Sequence, residues 1–359
     1  MSSLEIGIVG LPNVGKSTLY NALTRNNALA ANYPFATIEP NVGVVAIPDS
    51  RLQRLADIYS TDNIIPATIK FIDIAGLVEG ASKGDGMGNK FLSHIRECSV
   101  ICQVVRAFDD NNVIHVNNTN NPKADIDIIN TELVLSDLAT VEKRISAVNK
   151  QAKSDPKIAI VLAEYNKTLR QLENNTPLFN TSNVDLEQLK DLNLLTAKKI
   201  IYLFNVDETT LQDKSKQNQL KALVPNHPSV FINAQLEHEL NSLSEDEAKE
   251  LLSTYGQLES SLEQLITVSY KALGLQSYLT AGPKEVRAWT IKKGATAPQA
   301  AGVIHTDFEK GFIAAQIVDF NDLVEAGSIT NAKTKGLVRT EGKIYLMQPN
   351  DVVEFRFNN

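Results

Sequence analysis

The chain contains only two cysteines, no run of eighteen apolar residues, and no glycine between Gly88 and Gly256. Two thiols exclude a disulfide-stapled scaffold. Cys98 and Cys102 stand four apart and would share one helix face, although the surrounding apolar run reads equally well as strand. Both are expected to be buried thiols. The lack of a long apolar run excludes an ordinary membrane-spanning helix, and the opening MSSLEIGIVG has no basic segment ahead of a long apolar stretch. A cytoplasmic protein without a membrane partner is expected. The glycine-free stretch, in a chain with 18 glycines, marks helix-rich construction. A net charge of −7 argues against indiscriminate binding to free nucleic acid, so DNA is not an expected partner.

What is present starts with length: 359 residues, 43% of them hydrophobic, suffice for two or three domains. Residues 4–9, LEIGIV, place apolar side chains on both faces of an extended segment, as in a buried parallel strand, and KSTLYNALT then resumes at helical spacing. Between strand and helix, Gly10, Gly15, Lys16 and Ser17 complete G-x-x-x-x-G-K-[ST]. Backbone N–H groups at a helix start form an anion site, so Asn13, Val14, Gly15, Lys16, Ser17 and Thr18 are the expected phosphate-loop contacts. Lys16 would neutralise β- and γ-phosphate charge, and the Ser17 hydroxyl is a hard oxygen ligand for Mg²⁺.

Inside the glycine-free stretch, Val134, Leu138, Val141, Ile145 and Val148 step by helical intervals, as do Ile158, Leu162, Tyr165, Leu169 and Leu172. KSDPK between them offers Asp155 as N-cap and Pro156 at the first helical turn, which predicts an antiparallel helical hairpin. Strand signals return in KIIYLFNVDE and SVFINAQLE. From Gln276 onward Gly and short strand-like runs such as VRAWTI and VVEFRF mark a separate small α+β module. The expected division is an α/β nucleotide-binding part over 1–122, an inserted helical domain over 123–195, the resumed α/β part over 196–275, and the C-terminal module over 276–359.

KFIDIAG reads as a strand ending in Asp73 followed by D-x-x-G, which suits an Asp holding a Mg²⁺-bound water and a Gly76 amide that meets the γ-phosphate. Upstream, in YPFATIEPNVGVV, Thr37 could supply the second Mg²⁺ hydroxyl. This is the spacing of a nucleotide switch, with two loops ordered by the γ-phosphate and its metal.

Together, GLPNVGKS, NYPFATIEPNVGVVAIPDSRL and DIAGLVEGASKGDGMGNKFLSHIRE resemble the YchF group, the Obg-like ATPases among the translation-factor-related P-loop GTPases. The resemblance covers essentially the whole chain, and LTAGPKEVRAWTIKKGATAPQAAGVIHTDFEKGFIAAQIV is similar to a TGS domain, a β-grasp module. It implies a P-loop NTPase sheet with a helical insertion and a β-grasp module, ATP hydrolysis, a cytoplasmic setting and association with ribosomes.

Base identity can be checked physically. In GTPases an N-K-x-D segment reads guanine, its Asp accepting from the ring N1–H and the 2-amino group. Here the segment is NVDE, with Asn205, Val206 and Glu208 at the contacting positions. Adenine has no 2-amino group and its N1 accepts, so a carboxylate aimed there finds no donor. An Asn amide still matches the N6 donor and N7 acceptor of adenine. ATP is therefore expected over GTP, although a lost discriminator does not exclude GTP.

Where signalling GTPases carry a water-orienting glutamine after D-x-x-G, this chain has Leu77, which can neither orient water nor accept a proton. Slow basal hydrolysis is expected, resting on Lys16 and Mg²⁺, with His115 the first candidate to reach the phosphates and His94 the second. Asn13 has two readings: a K⁺ ligand between the α- and γ-phosphates, or a loop residue stabilising its own turn. A regulatory ATPase, a GTP-preferring switch and a nucleotide-stabilised scaffold with negligible turnover all fit. A small-molecule kinase fits poorly, because the candidate lid GASKGDGMGNK contains no arginine. Lys284, Arg287, Lys292 and Lys293 could meet RNA or ribosomal protein, or form a solvated face.

Overall fold

The structure, a computed structural model, describes residues 4–25, 41–74, 86–109, 121–240 and 242–358. The chain begins with β1 (Glu5–Gly10), α1 (Lys16–Arg25), β2 (Val42–Ala46), α2 (Arg51–Tyr59), β3 (Ile64–Ile65) and β4 (Thr68–Asp73). There follow α3 (Gly86–Glu97), β5 (Val100–Ala107), α4 (Pro122–Val148), α5 (Pro156–Glu173) and β6 (Lys199–Val206). Next are α6 (Glu208–Gln212), α7 (Lys214–Lys221), β7 (Ser229–Ile232), α8 (Ala234–Leu240), α9 (Glu245–Thr254) and α10 (Ser261–Ala272). The last part holds β8 (Leu275–Ala281), β9 (Val286–Lys292), α11 (Ala297–Ile304), α12 (Thr306–Lys310) and β10 (Phe312–Asp319). It closes with α13 (Phe320–Ala326), α14 (Ile329–Thr334), β11 (Arg339–Glu341) and β12 (Asp351–Phe357). Among the described residues no helix is long and apolar enough to cross a membrane.

Two compact units emerge, one formed by Met1–Val45 with Lys70–Ser269, the other by Ala46–Ile69 with Tyr270–Asn359. The first is built on a sheet in the order β2-β4-β1-β5-β6-β7. Strands β4, β1, β5, β6 and β7 are mutually parallel. β5 and β6 are buried along almost their whole length without alternation, which requires cover on both faces; β6 accordingly reads as an apolar run from Ile200 to Phe204, whereas β5 also buries Gln103 and Arg106. Cys98 and Cys102 are both buried free thiols, the first just after α3 and the second within β5. Burial pushes each thiol up to about 12.

α4 and α5 form the paired helices that the spacing predicts. Asn121 caps α4, its side-chain oxygen accepting from Ala124 N at 3.1 Å. Asp155 caps α5 through Lys157 N at 2.9 Å, with Pro156 in the first turn. Val134, Val141, Tyr165 and Leu172 are buried at the centre of the seam, with Leu138, Ile145 and Leu169 packed beside them. Asp137 ties this pair to the approach to β6. Its buried carboxylate accepts from Leu195 N at 2.8 Å and from Thr196 N and Oγ1 at 2.7 Å each. Burial raises its pKa against the pull of those hydrogen bonds.

The second unit carries a mixed sheet in the order β11-β10-β12-β8-β9-β3. Its core gathers Tyr278, Ile291, Phe312, Ile317 and Val353. The Tyr278 hydroxyl donates to Ala300 O at 2.9 Å. The sequence reading places residues 46–69 with the nucleotide-binding part. In the structure they group with the C-terminal unit, because Ile64 and Ile65 add a short parallel strand to Val286 and Arg287 of β9. The fold class is nevertheless the expected one: a mostly parallel α/β sheet with helices inserted, and a separate β-containing unit.

Candidate functional site

Parallel strands deliver their carboxyl ends to one edge of the sheet, where open α/β folds bind their ligands. Gly10, Asp73, Ala107, Val206 and Ile232 all end strands on that edge. The glycine-bearing loop leaves β1 and enters α1 at Lys16. Gly15 sits at φ +91°, a region that other residues rarely adopt, and Asn13 is left-handed at φ +62°. A side chain at Gly15 would also collide with the Asn205 amide.

Asn205 is the keystone of this edge. From the end of β6 its buried amide Nδ2 donates to Val14 O at 3.0 Å, and its Oδ1 accepts from Ala234 N, at the start of α8, at 3.2 Å. One side chain thereby fixes the phosphate loop against the neighbouring strand and helix. The sequence reading gives this amide to a purine. The structure shows it bonded to backbone on both sides, with one N–H and one lone pair beyond those bonds.

Behind the loop, Lys16 forms an ion pair with Asp73, both largely buried. Asp207 accepts from Thr210 N at 2.7 Å and Thr209 Oγ1 at 2.8 Å, capping α6. Burial would raise its pKa, but those hydrogen bonds win and hold it low. Glu208 stands exposed in the first turn of α6.

A cavity of about 790 Å³ opens along the same edge. Asn13, Gly15 and Thr18 line it from the loop, and Asn205, Val206 and Glu208 from the end of β6. These six sequence-predicted residues are brought together. Val14 is fully buried beneath them, and Ser17 lies exposed in the first turn of α1 beside Lys16. Thr37, Gly76, Leu77 and His115 fall outside the described residues. His94 is exposed on α3.

Residues 5–150 match the family model described as 50S ribosome-binding GTPase, and residues 275–358 match the YchF-GTPase C-terminal model, described as a protein of unknown function. The Bacillus subtilis (strain 168) protein named ribosome-binding ATPase YchF is 48% identical over 364 residues, covering 99% of this chain and 100% of that one. The Escherichia coli O157:H7 protein of the same name is 48% identical over 359 residues, covering 99% of each. The solved structure of the Schizosaccharomyces pombe YchF GTPase superposes with a TM-score of 0.88 at 38% identity, covering 99% of this chain and 98% of that chain. The chain belongs to the YchF family.

In this YchF-family chain the cavity also takes in Phe108, Asp109, Asn233, Gln235 and His238, which sequence reasoning missed. Phe108 and Asp109 follow β5 directly, and the Arg106 guanidinium lies over the Phe108 ring, 4.6 Å from its centroid. Asn233 caps α8, its Oδ1 accepting from Gln235 N at 3.1 Å and Leu236 N at 3.0 Å. The available signal was position alone: each follows a parallel strand at its carboxyl end.

Proposed function

We propose that this chain is a regulatory ATPase that binds ATP at the carboxyl edge of its parallel sheet, hydrolyses it slowly to ADP and phosphate, and associates with ribosomes. The observation that carries the reading is the phosphate loop locked by Asn205 beside a cavity whose base-reading segment is NVDE. A guanine reader needs a carboxylate at the fourth position of that segment and a lysine at the second. Here the second position is Val206 and the fourth is Glu208, one methylene longer than the aspartate of guanine readers, while Asp207 at the third caps α6. The names borne by the relatives support both the ATPase and the ribosome parts.

The donor chemistry around Lys16 fits Mg²⁺, since Ser17 and Asp73 offer the hard oxygens that this ion selects and Thr37 would add a second hydroxyl. Bound there, the ion supplies charge neutralisation on the β- and γ-phosphates. Lys16 would share its ammonium between Asp73 and the phosphates, and the backbone N–H groups from Asn13 to Thr18 would cradle them. With Leu77 unable to orient water, His115 is the residue proposed to approach the reacting phosphate and accept the proton. Asn13, left-handed in the loop, is either a K⁺ ligand or a turn residue. The module beyond residue 276 is proposed to be a TGS-type β-grasp domain, and the cytoplasm the site of action.

A second reading, a GTP-preferring switch, is favoured by the exposed carboxylate of Glu208, which lines the same cavity. Calorimetric titration with non-hydrolysable ATP and GTP analogues in Mg²⁺ buffer, in K⁺ and again in Na⁺, separates the two. ATP tighter by about tenfold, ~1.4 kcal/mol, supports the proposal, and GTP tighter by that margin replaces it. Lys16→Ala is expected to abolish phosphate release, and co-sedimentation with ribosomes is expected to depend on the nucleotide present.

A further inference from the structure

Glu237 is a carboxyl buried where the fold asks only for an acceptor. It lies on α8, 2% exposed, and its Oε1 accepts from Ser261 N at 2.7 Å in the first turn of α10. An amide oxygen would make the same bond without taking an ionisable group out of water. Capping therefore does not account for the carboxyl.

Its place in the fold is close behind the phosphate loop. Ala234 and Glu237, three apart on α8, share its buried face, which sets their Cβ atoms about 5–6 Å from one another. Ala234 N donates to Asn205 Oδ1, and Asn205 Nδ2 holds Val14 O of the loop. Ala234 Cβ lies 4.0 Å from the point that a Cβ on Gly15 would occupy. The Glu237 side chain thus starts about 10 Å from the loop backbone, behind the contact that locks it.

The charged and titratable groups on the elements around it are few. α1, packed against α8, carries Lys16 and Arg25; α10 carries Glu263 and Lys271; α8 itself adds His238 and Glu239. Burial, with a smaller push from Glu263, raises the Glu237 carboxyl to about 7 against hydrogen bonds from Ser261 and Leu262. It therefore changes charge near neutral pH.

We propose that Glu237 is a positioning residue for the nucleotide, tying α8 to α10 behind the phosphate loop, and that its proton and the nucleotide bind cooperatively. The inference rests on the reading that the cavity at the sheet edge holds a nucleotide. An ionised Glu237 sets a negative charge about 10 Å from an anionic ligand, which at an effective dielectric constant of about 20 weakens binding by about tenfold. The protonated carboxyl keeps an oxygen for Ser261 N and adds no charge. By linkage the nucleotide raises the midpoint of the carboxyl by the same factor, about one pH unit.

The test follows the Glu237 carboxyl resonance in full-length protein labelled with ¹³C-glutamate, titrated from pH 5 to pH 9 with and without Mg²⁺-ADP. The midpoint is expected at about 7 in the free protein and about one unit higher with the nucleotide bound. Calorimetry gives a second reading. Between pH 6 and pH 8 the wild type should lose about fivefold more affinity for Mg²⁺-ADP than Glu237→Gln, which keeps the acceptor and cannot ionise. A cap with a purely structural role would move neither quantity. The inference is overturned if nucleotide leaves the midpoint unmoved, or if both proteins lose affinity equally, as titration of His238 would produce. A wild type that binds no nucleotide at all overturns the reading of the cavity and this inference together. The carboxyl titration alone is decisive should the variant fail to fold.

Discussion

Asn205 illustrates how one short polar side chain can serve structure and ligand at once. Its two hydrogen bonds, to Val14 O and from Ala234 N, hold the phosphate loop in a backbone conformation that includes two left-handed residues. Asn205→Ala leaves both backbone groups buried without that partner, which costs about 1–3 kcal/mol of stability. Affinity for Mg²⁺-ATP should fall at least tenfold in calorimetry, since the amides that cradle phosphate lose their fixed geometry. A second residue-scale prediction concerns Glu237 on α8. Burial pushes its carboxyl up to about 7, against the opposing hydrogen bond that it accepts from Ser261 N at 2.7 Å. The folded state thus keeps this proton to higher pH than the unfolded chain, whose carboxyl titrates near 4.5. Stability from this group is lost as pH rises from about 4.5 to about 7, at no more than ~1.4 kcal/mol per pH unit. Glu237→Gln retains an acceptor for Ser261 and should flatten that part of the profile, read as urea midpoints between pH 5 and pH 8.

Among the elements, the α4–α5 pair was the most legible in sequence and β3 the least. The pair announced itself because its determinants are local: helical intervals of apolar residues, Asp155 as cap and Pro156 in the first turn. Asp155→Ala should cost about 1 kcal/mol, measured as a lowered thermal midpoint with helix content retained, because only one first-turn N–H loses its acceptor. β1 was equally clear, as a fully buried parallel strand must be apolar on both faces. Glycine placement likewise read the phosphate loop, since a position at φ +91° strongly favours glycine. β3, two residues long, has no periodicity of its own and is defined by a partner far away in the chain. Phe108, Asn233 and His238 were missed for the same reason. They converge on one cavity only after β5, β6 and β7, separated by long stretches of chain, have been laid side by side.

At the scale of the whole molecule, the second unit is assembled from two stretches of chain, with most of the first unit encoded between them. A chain ending at residue 269 should keep the β4-β1-β5-β6-β7 sheet but leave residues 46–69 without β9 to pair with. Hydrogen exchange should then show α2 and β3 exchanging rapidly, with β5 and β6 protected as before. The same interleaving sets a timetable for synthesis. Ile65 and its partner Arg287 are separated by more than two hundred residues, so at ~5–20 residues per second the wait between their emergence is on the order of tens of seconds. During that interval Leu52, Leu55 and Ile64 have no completed sheet to cover them. The nascent chain therefore carries an exposed apolar segment, awaiting a strand not yet made, until β9 has emerged.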